Sequence, residues 1–295
     1  MDVENLKIYD YVLIQRRQRL DPKGEKFNRS SLIVYSEKEG VNLIKKSFSV
    51  RTSERKKKIV KILKSLKFAT NTNFEKVKEK VEQNQEYYDF LRSSGLNLLD
   101  QRIVCTNLHV NNGKLVEDSR IFSGYIIQPF KEGDINSARE IQIAESHKDI
   151  YDIFKNILVS LLNVIGTTDQ NQLYLDIKPS NYIKKGSIFI DTQMPWGVKK
   201  EELKNFFNEK DFPKILATDI FERLTTEKGL VKKFSEQSIS LRPDLKADLE
   251  KVILDILSDN KKALVEDLKN YFLSENWKRK VSKYHKRFLE EKNEF

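Results

Sequence analysis

LYLDIKPSNYIKKGSIFIDTQMP, residues 173–195, is the stretch whose reading decides the fold. Asp176, Lys178 and Asn181 form an Asp-x-Lys-x-x-Asn loop, and an apolar strand then ends in Asp191. Leu173 to Leu175 reads as a short strand, and Lys185-Gly186 separates Tyr182-Ile183 from Ser187–Ile190 as the turn of a hairpin. Upstream, residues 149–165 place Ile150, Ile153, Phe154, Ile157, Leu158, Leu161, Leu162 and Ile165 at the recurrence of a largely buried helix. Gly166 and the polar run to Gln172 end it. This order sets the polar side chains at strand ends and on a loop, facing one site.

These residue types suit phosphoryl transfer. A carboxylate must orient the attacking hydroxyl and accept its proton, a cation must offset negative charge, and oxygen ligands must hold magnesium between the phosphates. Asp176, Lys178 and the pair Asn181 with Asp191 supply these three roles. One amide and one carboxylate suffice, because magnesium completes its shell with water and phosphate. An isolated Asp-x-Lys-x-x-Asn string is common, and the helix, hairpin and acid around this one make it specific.

With its flanks in place, the segment resembles the catalytic region of the protein-kinase-like superfamily, and DIKPSN is similar to the Ser/Thr-kinase form of the loop. Tyr174 and Leu175 stand at the usual histidine and arginine, and Asp191-Thr192-Gln193 keeps only the acid of Asp-Phe-Gly. The resemblance implies an α+β, bilobal protein-kinase-like fold, with an antiparallel-sheet N-terminal lobe over 1–130 that covers the nucleotide and a mainly helical C-terminal lobe over 131–295. It implies ATP and Mg2+ as cofactors and a hydroxyl-bearing acceptor, either a small molecule or a protein Ser/Thr.

The same resemblance extends upstream. GYIIQPFKEGD, residues 124–134, is similar to a kinase hinge, in which the backbone of Gln128 and Phe130 would hold the adenine edge. A strand over Arg102–Val110 and an Asn111-Asn112-Gly113-Lys114 hairpin signal precede it. Leu32–Tyr35 and Val41–Phe48 read as paired strands, with Lys45 where the family's phosphate-binding lysine falls and Lys46 as its competitor on the other face. A helix over Phe74–Leu91 would supply the paired acid, Glu86, or Glu82 one turn earlier. The glycine-rich phosphate loop is not matched, since the region before Leu32 offers only Gly24. No Ala-Pro-Glu closes the segment after Asp191, and helices follow at Lys200–Phe207, Lys214–Leu224, Pro243–Leu257, Asn260–Leu273 and Glu275–Glu291. That helical stretch is similar to the small-molecule and atypical kinases, whereas Lys178 belongs to the protein-kinase pattern.

Composition bounds the alternatives. A chain of 295 residues with 39% hydrophobic content is long enough for a two-lobed enzyme. Its single cysteine, Cys105, excludes an internal disulfide and fits an inert core thiol in a cytoplasmic protein. No apolar run reaches membrane-span length, so a soluble chain without a transmembrane segment is expected. The three histidines are dispersed, with His109 and His147 expected on the surface, and no zinc-ligand spacing occurs.

Of 98 charged residues, 54 are basic, and the net charge is +10. Residues 54–68 interleave Arg55, Lys56, Lys57, Lys58, Lys61, Lys64 and Lys67 with Ile59, Val60, Ile62, Leu63 and Leu66, which predicts a basic amphipathic helix. It reads either as a surface helix with a solvated lysine face or as a contact for an anionic partner: RNA, a phosphorylated substrate or an acidic lipid surface. A second cluster, Lys278–Arg287, mixes cations with Trp277 and Tyr284, whose rings would either stack bases or pack in the core. Two other functional classes follow, a pseudokinase scaffold and a nucleic-acid-binding protein built on these basic segments.

Overall fold

The computed structural model describes residues 2–6, 11–14, 32–36, 43–46, 49–52, 59–112, 114–129, 136–167, 174–258 and 261–293. It is an α+β protein whose chain divides into two compact units, Met1–Asp89 with Leu99–Asp134, and Phe90–Leu98 with Ile135–Phe295.

The first unit contains β1 (Val3–Glu4), β2 (Tyr11–Ile14), β3 (Leu32–Ser36), β4 (Leu43–Lys46), β5 (Ser49–Thr52), β6 (Ile59–Asn71), most of α1 (Phe74–Ser93), β7 (Arg102–Thr106), β8 (Leu108–Asn111), β9 (Lys114–Glu117) and β10 (Phe122–Pro129). Six strands form one sheet in the order β1-β7-β10-β6-β3-β2. Every pair is antiparallel except β1 with β7.

The basic helix expected over 54–68 is not formed. Residues 59–71 are the long central strand β6, and residues 53–58 lie outside the described residues. Both faces of β6 are covered, so its apolar residues need not alternate. Leu63 packs with Val104, Leu108, Tyr125 and Ile127 on one face. Leu66 and Ala69 lie on the other, where a Cβ added to Gly124 would sit 3.0 Å from both and from Val81 of α1. An irregularity lets residues three apart share that face: the register with β10 shifts between Ser123 and Tyr125, and Phe68 takes a φ of 59°. Apolar spacing of three and four imitates a helix, while β-branched Ile59, Val60 and Ile62 suit a strand. The helical surface for an anionic partner is corrected with it.

Two strand pairings also differ from expectation. β3 pairs with β2 and β6, while β4, which carries Lys45, closes a separate hairpin with β5. The expected strand over Arg102–Val110 breaks at Asn107, whose side chain donates to the carbonyls of Asp118 and Ile121. Its first half, β7, pairs with β10, and β8 turns back on β9 through Asn112, at φ 46°. His109, expected on the surface, is buried in β8. Cys105 is buried, and burial pushes its thiol up.

Among the described residues the second unit is helical apart from one short hairpin. Its elements are α2 (Ser137–Ile143), α3 (His147–Thr167), β11 (Tyr182–Ile183), β12 (Ile188–Phe189), α4 (Lys200–Glu209), α5 (Lys214–Thr225), α6 (Glu227–Leu241), α7 (Lys246–Ser258), α8 (Lys262–Leu273) and α9 (Glu275–Asn293). α3 sits centrally, with Phe154, Ile157, Leu158 and Leu161 fully buried and Phe154 edge-on to Phe234 of α6. α6 lies outside the helices that periodicity predicts. Gly229 and three serines dilute its apolar pattern, yet eight of its residues are buried.

Buried charge ties α6 to its neighbours. Arg223 donates to Glu236 Oε2 at 2.8 Å, and Tyr271 and Lys280 both donate to Oε1. Burial alone would raise the Glu236 carboxyl, but these donors outweigh it and hold it low. Trp277 is fully buried, donates to Glu250 and packs on Tyr271 and Phe272, so it is a core residue and not a platform for bases. Among the described residues no helix is long and apolar enough to cross a membrane.

Candidate active site

The loop from Tyr174 to Asn181 is built by alternation. Leu175, Ile177 and Pro179 point into the core, which leaves Asp176 and Lys178 partly exposed on the opposite side. No strand forms at Tyr174 and Leu175; the Leu175 N–H is instead satisfied by the Leu224 carbonyl at the end of α5, 2.9 Å away. Leu173 lies outside the described residues. A 3-10 turn over Pro179–Asn181 then brings the Asn181 side chain back over the loop.

Asn181 is the organising residue. Its Nδ2 donates to the Asp176 carbonyl at 2.7 Å and to Asp191 Oδ2 at 3.1 Å. Its carbonyl also accepts from the Ile190 N–H at 2.8 Å, fixing the strand end that presents Asp191. The β11–β12 hairpin between them is held from outside. Gly186, at φ 80°, donates to the buried Ser137 hydroxyl, and Asn97 bonds both Ser187 and Phe189. A Cβ on Gly186 would lie 2.6 Å from Ile157 Cγ1 and 2.7 Å from the Ile153 carbonyl oxygen. Gly186→Ala should therefore destabilise the protein by about 2–3 kcal/mol, combining positive-φ strain with a backbone clash. Denaturant unfolding tests this, and an unchanged midpoint would refute the tight seating of the turn.

Tyr174 fastens the segment after Asp191. Its buried hydroxyl is directed at the Pro195 and Val198 carbonyls. Burial, with Glu201 and Glu202 nearby, pushes the phenol up, so it stays a neutral donor. Trp196 between those carbonyls takes φ 61° and packs on Phe206, Phe207 and Phe212.

Both oxygens of Asp176 are engaged. Lys178 Nζ lies 2.6 Å from Oδ2, and Lys233 Nζ of α6 bonds Oδ1. Burial pushes the Asp176 carboxyl up, but the ammonium groups of Lys233 and Lys178 outweigh it and bring it below the ordinary carboxylate range. Asp176 is thus an ionised hydrogen-bond acceptor and a weak base.

No protein-family model matches this chain, and no curated protein does.

The structure brings Asp176, Lys178, Asn181 and Asp191 together, and it adds Lys233, which no local motif announces. Lys45, Glu86 and Gln128 belong to the first unit. Lys45 lies in the separate β4–β5 hairpin, opposite Val50. Glu86 and Glu82 occupy exposed positions of α1, whose buried side carries Val77, Val81, Asn84 and Tyr88. The Gln128 side chain is buried and donates to Gln101 at 2.9 Å, and its backbone sits near the end of β10. Phe130 lies outside the described residues.

The donor set suits a hard cation. Asn181 and Asp191 contribute only amide and carboxylate oxygens, and among the described residues no three His, Cys, Asp or Glu side chains gather to hold a metal alone. An ion held here would complete its shell with water and phosphate, the habit of magnesium.

Proposed function

We propose that this chain is an ATP- and magnesium-dependent phosphotransferase of bilobal, protein-kinase-like fold, acting on a hydroxyl-bearing acceptor. The observation that carries the reading is the Asn181 bridge, one amide joining the Asp176 main chain to the Asp191 carboxylate. Asn181 and Asp191 would hold the metal, which when bound offsets the charge on the transferring phosphoryl group. Asp176 orients the acceptor hydroxyl through a hydrogen bond. Phosphoryl transfer through a loose transition state asks little of a base, so a carboxylate kept weakly basic by two ammonium groups serves.

Besides Lys45, β6 offers a lysine for the nonreacting phosphates. In kinases that lysine lies on the third strand and pairs with the helix that follows. β6 is the third strand of the antiparallel run β2-β3-β6-β10-β7 and leads directly into α1. Lys64 is half-buried there, opposite Ile126 and two residues from Leu66 on the face that α1 covers. Lys64 joins Lys45 as a candidate for that role.

Calorimetry with ATP, with and without magnesium, tests the proposal. Magnesium-dependent binding is expected in the parent and should weaken at least about tenfold in Asp191→Ala, with the melting temperature near the parent value. An Asp191→Ala protein that binds and turns over like the parent would sink the metal assignment. Absence of binding in both proteins would replace the enzyme by a nucleotide-free scaffold.

A further inference from the structure

We infer that Lys233 is the positioning residue of the site, fixing the Asp176 carboxylate for the acceptor hydroxyl; this inference rests on the phosphotransfer reading above. Asp176 has a fixed main chain, since its carbonyl accepts from Asn181 Nδ2 at 2.7 Å. Its side chain still has two torsions, and a carboxylate that swings cannot hold a hydroxyl in line with a phosphorus atom.

Two cations of different character bind it. Lys178 comes from the same loop two residues later, with 35% of its side chain exposed, and it touches Oδ2. A cation placed there is free to leave for the charge that develops on the phosphoryl group. Lys233 comes from α6, has only 16% of its side chain exposed and bonds Oδ1. Its helix neighbours Val231 and Phe234 are fully buried, so its backbone is anchored by packing. A largely enclosed ammonium gives up its partner at a higher desolvation cost than an exposed one. Lys233 therefore stays on Asp176 through a reaction cycle, while Lys178 moves.

The division of labour predicts a separation of kinetic constants. Turnover is measured per magnesium–ATP site titrated by calorimetry, so any unfolded fraction drops out. Lys233→Met should lower kcat about 10- to 100-fold, as expected when a reacting group loses its alignment, with magnesium–ATP affinity within about twofold of the parent. Lys233→Arg, which keeps a donor, should fall between the two. A merely structural role would lower the melting temperature and the number of titratable sites while leaving kcat per site unchanged, and that result overturns the inference. So would a rise in kcat, which would make Lys233 a plug over Asp176. A parent protein with neither magnesium–ATP binding nor transfer removes the phosphotransfer reading and this one together, whereas an active parent with unaltered Lys233→Met kinetics removes only this one.

Discussion

Replacing Gly229 by alanine should lower the unfolding free energy by about 3 kcal/mol, more than a helix-favouring substitution on a surface would ever suggest. By propensity alone, alanine in a helix is better than glycine by about 1 kcal/mol. Here the added methyl would enter the space of the Glu222 carbonyl. That carbonyl cannot withdraw, because it accepts from both the backbone and the hydroxyl of Thr226, at 3.0 and 2.9 Å. The same hydroxyl caps α6 by accepting from the Gly229 N–H at 3.0 Å. Movement at this junction also displaces Leu224, whose carbonyl holds the loop at Leu175. Chemical denaturation of Gly229→Ala is the measurement, and a midpoint equal to or above that of the parent would show that the α5–α6 approach is looser than described.

Asp176→Ala should be destabilising by about 1–3 kcal/mol, because it strands the largely enclosed ammonium of Lys233, and on the phosphotransfer reading it should also be inactivating. The double variant Asp176→Ala with Lys233→Met should recover most of that loss while remaining inactive. Additive losses in the double variant would mean that the two side chains do not depend on each other. The pH dependence has a definite sign. The carboxyl is lowered in the folded protein, so its contribution is fully present above the unfolded carboxylate pKa of about 4 and is lost as pH falls through the lowered value. In Asp176→Asn that acid-sensitive part of the stability should vanish, which thermal melts between neutral and acidic pH would detect.

The parts of the site legible in the sequence are those made by short-range geometry. Asp176, Lys178 and Asn181 occupy one tight loop, and Asp191 is returned to them by a hairpin whose turn residues, Lys185 and Gly186, are plain in the sequence. The helix α3 ahead of them declares itself by a broad apolar stripe. Lys233 was not legible. It is 57 residues from Asp176, on a helix whose polar serines and glycine hide its burial. A capping threonine at Thr226 is the one local sign that α6 begins there.

Long-range contacts also decide β6 and Trp277. Residues 59–71 carry apolar side chains at spacings that satisfy a helix, and only the partners on both sides, β3 and β10, select the strand. Trp277 among cations is compatible in sequence with base stacking and with core packing, and only its enclosure by Tyr271, Phe272 and Glu250 selects the core.

What the sequence by itself determined is the local order of the Asp176–Asn181 loop, the hairpin and the helix before it, because neighbouring residues and turn chemistry suffice for those. What tertiary structure alone decided is which face of each element is covered. Burial and strand pairing depend on contacts between distant segments, so the identity of β6 as a strand and the clamp of Lys233 on Asp176 emerge only when the chain is folded.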